Sequence, residues 1–335
     1  MGKPSCEGFL YLAGRPKKRK ERKRNQRNTQ MAQTYSYNYP WNKLPFELYP
    51  RVAREYLDHG VDTFVLIFEL VLDMMNSPER LEGMRKLTRE MGVRFVSVHA
   101  PCGRPYDINI PEVEQREVMI QTHIRCMEIA AEFGSQTYTV HVGASHYCRD
   151  HYPLAPLREN AHRVLERLLP EAERIGIIIA VENSFEPPNS PKEVLGIITP
   201  FLSSKYIGVC YDTGHANIMA PASWKKAELY APYMARSWWE GFVEEPNPLE
   251  IVKEHVVTTH IHDNSGYGDL HAMPFDGTID WDALMPQLHA CPRMLEFQTE
   301  ICFDDGNNWA GHLMAPIGGY SINRQVEVYR KLGFK

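Results

Sequence analysis

Thr259-His260-Ile261-His262-Asp263-Asn264, followed by Asp269-Leu270-His271, is the stretch on which the fold turns. An apolar run from Ile251 to Thr259 leads straight into it. Aliphatic and β-branched residues that run into clustered His and Asp are expected where a buried strand ends and opens onto a metal site. Imidazole and carboxylate suit Zn, Mn, Co and Fe, and carboxylate also suits Mg. The same pattern recurs along the chain. Phe95 to Val98 leads to His99, and Tyr138 to Val140 leads to His141. Ile177 to Val181 leads to Glu182-Asn183, Ile207 to Tyr211 leads to Asp212 and His215, and Met294-Leu295 leads through Glu296 and Gln298 to Glu300.

Strand-like runs fall near 34–39, 62–68, 94–100, 136–142, 177–183, 206–212, 255–262 and 293–301, with helical periodicity between most of them, as over 113–133 and 156–174. Eight strands alternating with helices predict parallel β/α units closing into a (β/α)8 TIM barrel, an α/β single domain over 34–335. The first strand is the weakest, because Pro40 and Trp41 interrupt it early. The segment 221–250 is long for one connection and carries Trp224, Trp238 and Trp239; it is expected either to cover the barrel mouth or to make a subunit contact, as in a homo-oligomer.

The 335 residues are 43% hydrophobic and 24% charged, a globular composition. No apolar stretch approaches the roughly 20 residues of a membrane span, and no secretory leader is apparent. Seven scattered cysteines without a CxxC pair fit a reducing, cytoplasmic setting. Residues 1–30 carry ten Lys/Arg against two Glu, which leaves 27 basic and 40 acidic side chains for the rest. The run Pro16 to Arg24 has the composition of a nucleic-acid or nuclear-localisation patch, but a disordered basic tail over 1–33, or a true start at Met31, is the simpler expectation. The acidic remainder should repel polyanions, so a nucleic-acid partner is not expected.

A lone histidine after a strand is usually structural. Six strand ends bearing ligand-type residues are harder to explain that way. Glu182, Asp212 and Glu300 buried together without a cation would place like charges in one cavity, at a cost of several kcal/mol. A divalent ion removes the conflict.

The motifs Val98-His99-Ala100-Pro101, Val140-His141-Val142-Gly143, Val181-Glu182-Asn183, Tyr211-Asp212-Thr213-Gly214-His215, His260-Ile261-His262-Asp263-Asn264 and Asp276-Gly277-Thr278-Ile279-Asp280-Trp281 run in order over about two thirds of the chain. As a set they resemble the xylose isomerase-like barrel superfamily, which holds sugar (or sugar-phosphate) isomerases and epimerases together with endonuclease IV-type enzymes. The resemblance implies one divalent ion (Mn, Mg, Co or Zn) on Glu182, Asp212, His260 and Glu300. It implies that Glu182 and Glu300 transfer the proton at the carbon next to a carbonyl held by that ion, with a sugar or polyol as substrate. It assigns His99, His141 and His215 to substrate, His262 either to substrate or to a supporting place behind the ligands, and Asp269 and His271 as additional metal positions. Three alternatives stay open: a trinuclear zinc phosphodiesterase, a polyol dehydratase or lyase, and a barrel that binds a sugar or metal without turning it over. Glu300 is preferred to Glu296 as the last ligand; Glu296 is expected to form a structural ion pair lower in the barrel.

Overall fold

In the computed structural model, residues 33–143, 152–230, 232, 237–238, 241–303 and 321–335 are described, and the basic tail expected over 1–33 lies almost wholly outside them. Eight strands form one parallel sheet: β1 (Thr34–Ser36), β2 (Thr63–Leu66), β3 (Arg94–His99), β4 (Thr137–Val140), β5 (Ile178–Glu182), β6 (Ile207–Asp212), β7 (Val256–Ile261) and β8 (Glu296–Thr299). Their order is β1-β8-β7-β6-β5-β4-β3-β2, every pair parallel.

The seam between β1 and β2 closes through one bridge, Tyr37 to Phe64. Tyr37 N–H donates to Thr63 O and Tyr37 O accepts from Val65 N–H, each at 3.1 Å. Strand β1 ends early for the reason anticipated. Pro40 has no N–H to donate to a ladder, and Trp41 opens a short 3-10 turn with its ring fully buried against Tyr49, Phe64 and Phe95.

The helices between the strands form where the apolar period predicts, notably Val113–Glu132 and Leu154–Ile175. Their apolar faces pack on outward-pointing strand residues such as Tyr138, Val140, Ile179, Val181 and Phe297, which belong to one continuous core. Inward-pointing residues are different. With the period of two along a strand, β8 turns Glu296, Gln298 and then, one residue beyond its end, Glu300 to the axis. Glu296 is buried and accepts from Thr137 Oγ1 (2.8 Å), Thr258 Oγ1 (3.1 Å) and Ser36 Oγ. Gln298 Oε1, one layer up, accepts from Ser97 Oγ at 2.9 Å. The ion pair expected for Glu296 is therefore replaced by hydroxyls from three other strands. A hydroxyl-lined axis satisfies the carboxylate's lone pairs without importing a bulky cation.

Phe64 is fully buried where the seam, Trp41, Tyr56 and Phe95 meet. Phe64→Ala is expected to destabilise the barrel by about 3–5 kcal/mol, read from the urea midpoint at unchanged m-value. A loss below about 1 kcal/mol would show that the seam collapses to fill the space.

Candidate metal centre

Glu182 ends β5, Asp212 ends β6, His260 lies near the end of β7 and Glu300 follows β8, so neighbouring strands deliver four side chains to one end of the barrel. One ligand atom from each lies within 4.8 Å of the other three. His260 Nδ1 stands 2.9 Å from Glu300 Oε2, 3.3 Å from Glu182 Oε2 and 3.8 Å from Asp212 Oδ2. His141 Nε2 is 3.0 Å from Glu182 Oε2. These approaches are short, yet the His260 nitrogens, His141 Nε2, Glu182 Oε2 and Glu300 Oε2 make no aligned hydrogen bond. Buried polar atoms that crowd together without bonding to one another are aimed at a common point, as metal ligands are.

A second group, His215, His262, Asp269 and His271, adjoins the first. His215 Nε2 is 3.4 Å and His271 Nε2 3.2 Å from Asp269 Oδ2, and the rings of His262 and His271 stack at 4.1 Å. His262, expected to touch substrate, is fully buried, and its Nε2 meets Asp212 Oδ2 at 2.9 Å. Gly214 permits this, since a Cβ at that position would collide with the His262 ring. His215, also expected on substrate, lines the cavity and at the same time belongs to this second group. A third group joins His99 and His141 to Cys102, a residue with no motif to announce it.

Backbone carbonyls orient several of these rings. Nδ1–H of His99 donates to Ala100 O (2.9 Å), that of His215 to Asn183 O (2.9 Å) and that of His271 to Glu300 O (3.0 Å). With Nδ1 engaged, Nε2 is the nitrogen offered to the cavity, the arrangement that usually fixes the tautomer of a metal-binding histidine. Asp212 is held as firmly. Its Oδ1 caps the helix Thr213–Met219 by accepting from His215 N–H at 2.6 Å, and Asn183 clasps its backbone through Oδ1 and Nδ2.

Burial opposes ionisation of Glu182, but His260, His141 and His215 outweigh it and hold its carboxyl well below the usual range. Glu300 is likewise lowered against its burial by His260 and His271, and Asp269 by His271 and His215. The carboxylates act back on the rings. Burial alone would lower His260 and His215, yet Cys210, Glu182 and Glu300 raise the first and Asp212 and Asp269 the second well above the ordinary value, and Asp269 pushes His271 up to about 10. His99 goes the other way: burial and nearby His141 pull it down to about 4, leaving a neutral imidazole. The carboxylates and most of the imidazoles of the cluster thus favour one another's charged forms.

The loop that carries Asp269 and His271 is pinned from below. Buried Asp263 accepts from the N–H groups of Asn264 (2.9 Å), Phe275 (3.1 Å) and Ile279 (3.2 Å) and from Trp281 Nε1 (2.8 Å). His271 itself has φ +45°, a backbone conformation uncommon outside glycine. On the far wall, the long connection after residue 219 supports His215 indirectly. Trp238 Nε1 donates to Phe185 O at 2.6 Å, and the Phe185 ring lies 5.3 Å from that of His215. Trp239 of this connection lies outside the described residues. A cavity of about 240 Å³ opens over the cluster, lined by His99, His141, Glu182, His215, Asp269, His271 and Glu300, and also by Asn38, Phe68 and Glu69 from the segments that follow β1 and β2. Sequence reasoning missed these last three. Asn38 and Glu69 are single polar residues among apolar ones, with no ligand-type partner nearby in the chain.

The xylose isomerase-like TIM-barrel family profile matches residues 53–297. An uncharacterised protein of Methanocaldococcus jannaschii is 26% identical over 69% of this chain and 71% of its own length. An uncharacterised Sinorhizobium fredii protein is 36% identical over 105 residues, 30% of this chain, and the match spans only 24% of that protein. Among solved structures, a D-tagatose 3-epimerase-like protein superposes with TM-score 0.60 at 20% identity (84% of this chain, 90% of that one). A 3-keto-D-glucoside 4-epimerase from E. coli superposes with TM-score 0.63 at 16% identity (90% and 99%). Among the described residues no helix is long and apolar enough to cross a membrane.

The two inward carboxylates of β8 and its end should separate cleanly. Glu300→Gln is expected to weaken Mn2+ or Zn2+ binding by at least about 10–100-fold in calorimetry. Glu296→Gln should lower the melting temperature and leave cation affinity within a few-fold. The reverse pattern would move the cation site down the barrel.

Proposed function

Because the chain belongs to the xylose isomerase-like TIM-barrel family, we propose that it is a metal-dependent isomerase or epimerase of a ketose-type sugar or polyol. The observation that carries this reading is the convergence of Glu182, Asp212, His260 and Glu300, whose buried ligand atoms crowd within 4.8 Å without bonding to one another. This donor set fits a divalent ion: three carboxylate groups and one imidazole suit Mn, Mg, Co or Zn. Such an ion, when bound, would polarise a substrate carbonyl and make the neighbouring C–H more acidic.

The protein's own groups then supply the proton transfer. Glu182 and Glu300 come from strands on opposite sides of β6 and β7, so they approach the cavity from different directions. One takes the proton from the carbon next to the carbonyl, and the other returns one to the opposite face or to the adjacent carbon. Each enters the cavity as a carboxylate, the form a general base must have, the ordinary range of the group lying below neutral pH. His99 and His141 face the same cavity and would hydrogen-bond substrate hydroxyls. The two structural neighbours, one an epimerase and the other epimerase-like, are consistent with this reading.

The test is exchange of substrate hydrogen with D2O on a free ketose. The metal-loaded protein is expected to exchange, and Glu182→Gln to lower the rate by about 10²–10⁴-fold. Exchange by Glu182→Gln at the wild-type rate would remove the Glu pair from the mechanism.

One observation favours a second reading. The His99/His141 and His215/Asp269/His271 groups present oriented Nε2 atoms around the same cavity, which is more ligand chemistry than one ion needs. A polynuclear site would suit phosphoester hydrolysis. Elemental analysis of protein purified without chelator separates the two: about one ion per chain is expected for the isomerase, and about three zinc per chain would favour the hydrolase.

A further inference from the structure

The cavity over the cluster does not stop at Glu300. Asn38, Ile67 and Glu69 belong to its wall and equally to the wall of a second cavity of about 260 Å³, so the two adjoin. Each alone is smaller than the roughly 300–1,000 Å³ of ordinary small-molecule sites, and joined they fall within that range. The outer cavity also has a distinct chemistry. Tyr39 and Phe303, both half-buried, form a tilted aromatic pair with centroids 5.1 Å apart. Asn42 sits at its exposed rim. Its charged groups are one ammonium, Lys43, and one carboxylate, Glu69, which act on each other electrostatically.

Resting on the isomerase reading, we infer that the substrate is a glycosylated keto-sugar: its keto unit sits over the Glu182–Glu300 cluster and its second sugar ring lies in the outer cavity against Tyr39 and Phe303. Aromatic faces pair with the C–H face of a pyranose, because the ring's axial hydrogens are its least polar surface and the aromatic face is its electron-rich counterpart. Carboxylate and amide groups at the edge then take the hydroxyls. The same inventory argues against a phosphate in this position. Among the described lining residues a dianion would meet Glu69 with one cation in reach, Lys43. The start of the helix Phe68–Asn76, the usual alternative anion site, already carries the Glu69 carboxylate in its first turn. Asn38 is also committed: its Nδ2 donates to Ile301 O (3.0 Å) and its Oδ1 accepts from Thr299 Oγ1 (2.9 Å), so it shapes the passage between the cavities and leaves recognition to its neighbours.

The experiment compares kcat/KM for D2O exchange by the metal-loaded full chain on D-fructose, D-fructose 6-phosphate, lactulose and isomaltulose. At least one of the two disaccharides is expected to be preferred over fructose by about ten-fold or more, the worth of one good stacking contact. Phe303→Ala should reduce that preference about ten-fold at unchanged bound metal. Asn42→Trp, which fills the outer cavity from its exposed rim without opening the core, should do the same. Fructose or its phosphate used as well as both disaccharides, or a preference unmoved by both variants, overturns the inference and leaves the isomerase standing. Exchange on none of the four sugars overturns both.

Discussion

Glu182, Asp212 and Glu300 enter one small volume from three separate strands, and the imidazole of His260 stands between them. Two unit charges about 5 Å apart repel by roughly 3 kcal/mol at an effective dielectric near 20. Three such pairs are a substantial share of the ~5–15 kcal/mol by which a protein of ordinary stability exceeds its unfolded chain. The surroundings are arranged to bear that load. His260, His141, His215 and His271 are all shifted towards their charged forms, while Asn183 and the helix starting at Thr213 fasten Asp212. The charge balance extends outward through Asp269, so the first and second ligand groups form one electrostatic unit.

Much of the barrel was legible in the chain because its strands are short runs of β-branched and aromatic residues between clear helical periods. Those patterns reflect burial on the outer face of the sheet, a local and repetitive requirement. The strand-end residues were legible through repetition: one acid or imidazole after an apolar run is usually structural, but six such strand ends in one barrel are not easily so. What could not be read depends on contacts across the barrel. The hydroxyls that hold Glu296 come from β1, β4 and β7, at separations no local pattern encodes. His262 shares a strand face with His260, yet its place behind Asp212 depends on Gly214 lacking a side chain. Cys102, Asn38 and Glu69 reach the cavity only because β1, β2 and β3 complete its circumference.

The barrel axis is unusual in its contents. Many barrels fill this space with layers of bulky aliphatic residues. Here the lower layers hold a carboxylate, a glutamine and several hydroxyls, while Ile178, Ala180, Cys210 and Val257 form a separate small apolar group. Glu296, Gln298 and Glu300 stand in one inward-facing row along a single strand, the lower two bonded to hydroxyls of β1, β3, β4 and β7.

The four donors gathered by Asp263 have a consequence for kinetics. A segment that had to be organised by its ligand would surrender chain entropy at each encounter, slowing capture and weakening affinity. Here the segment from Asn264 to Trp281 is tied to one carboxylate beneath it before any ligand arrives, so Asp269 and His271 wait in place. Association at this side of the mouth should then be governed by how fast water and protons leave, with little contribution from rearrangement of the chain.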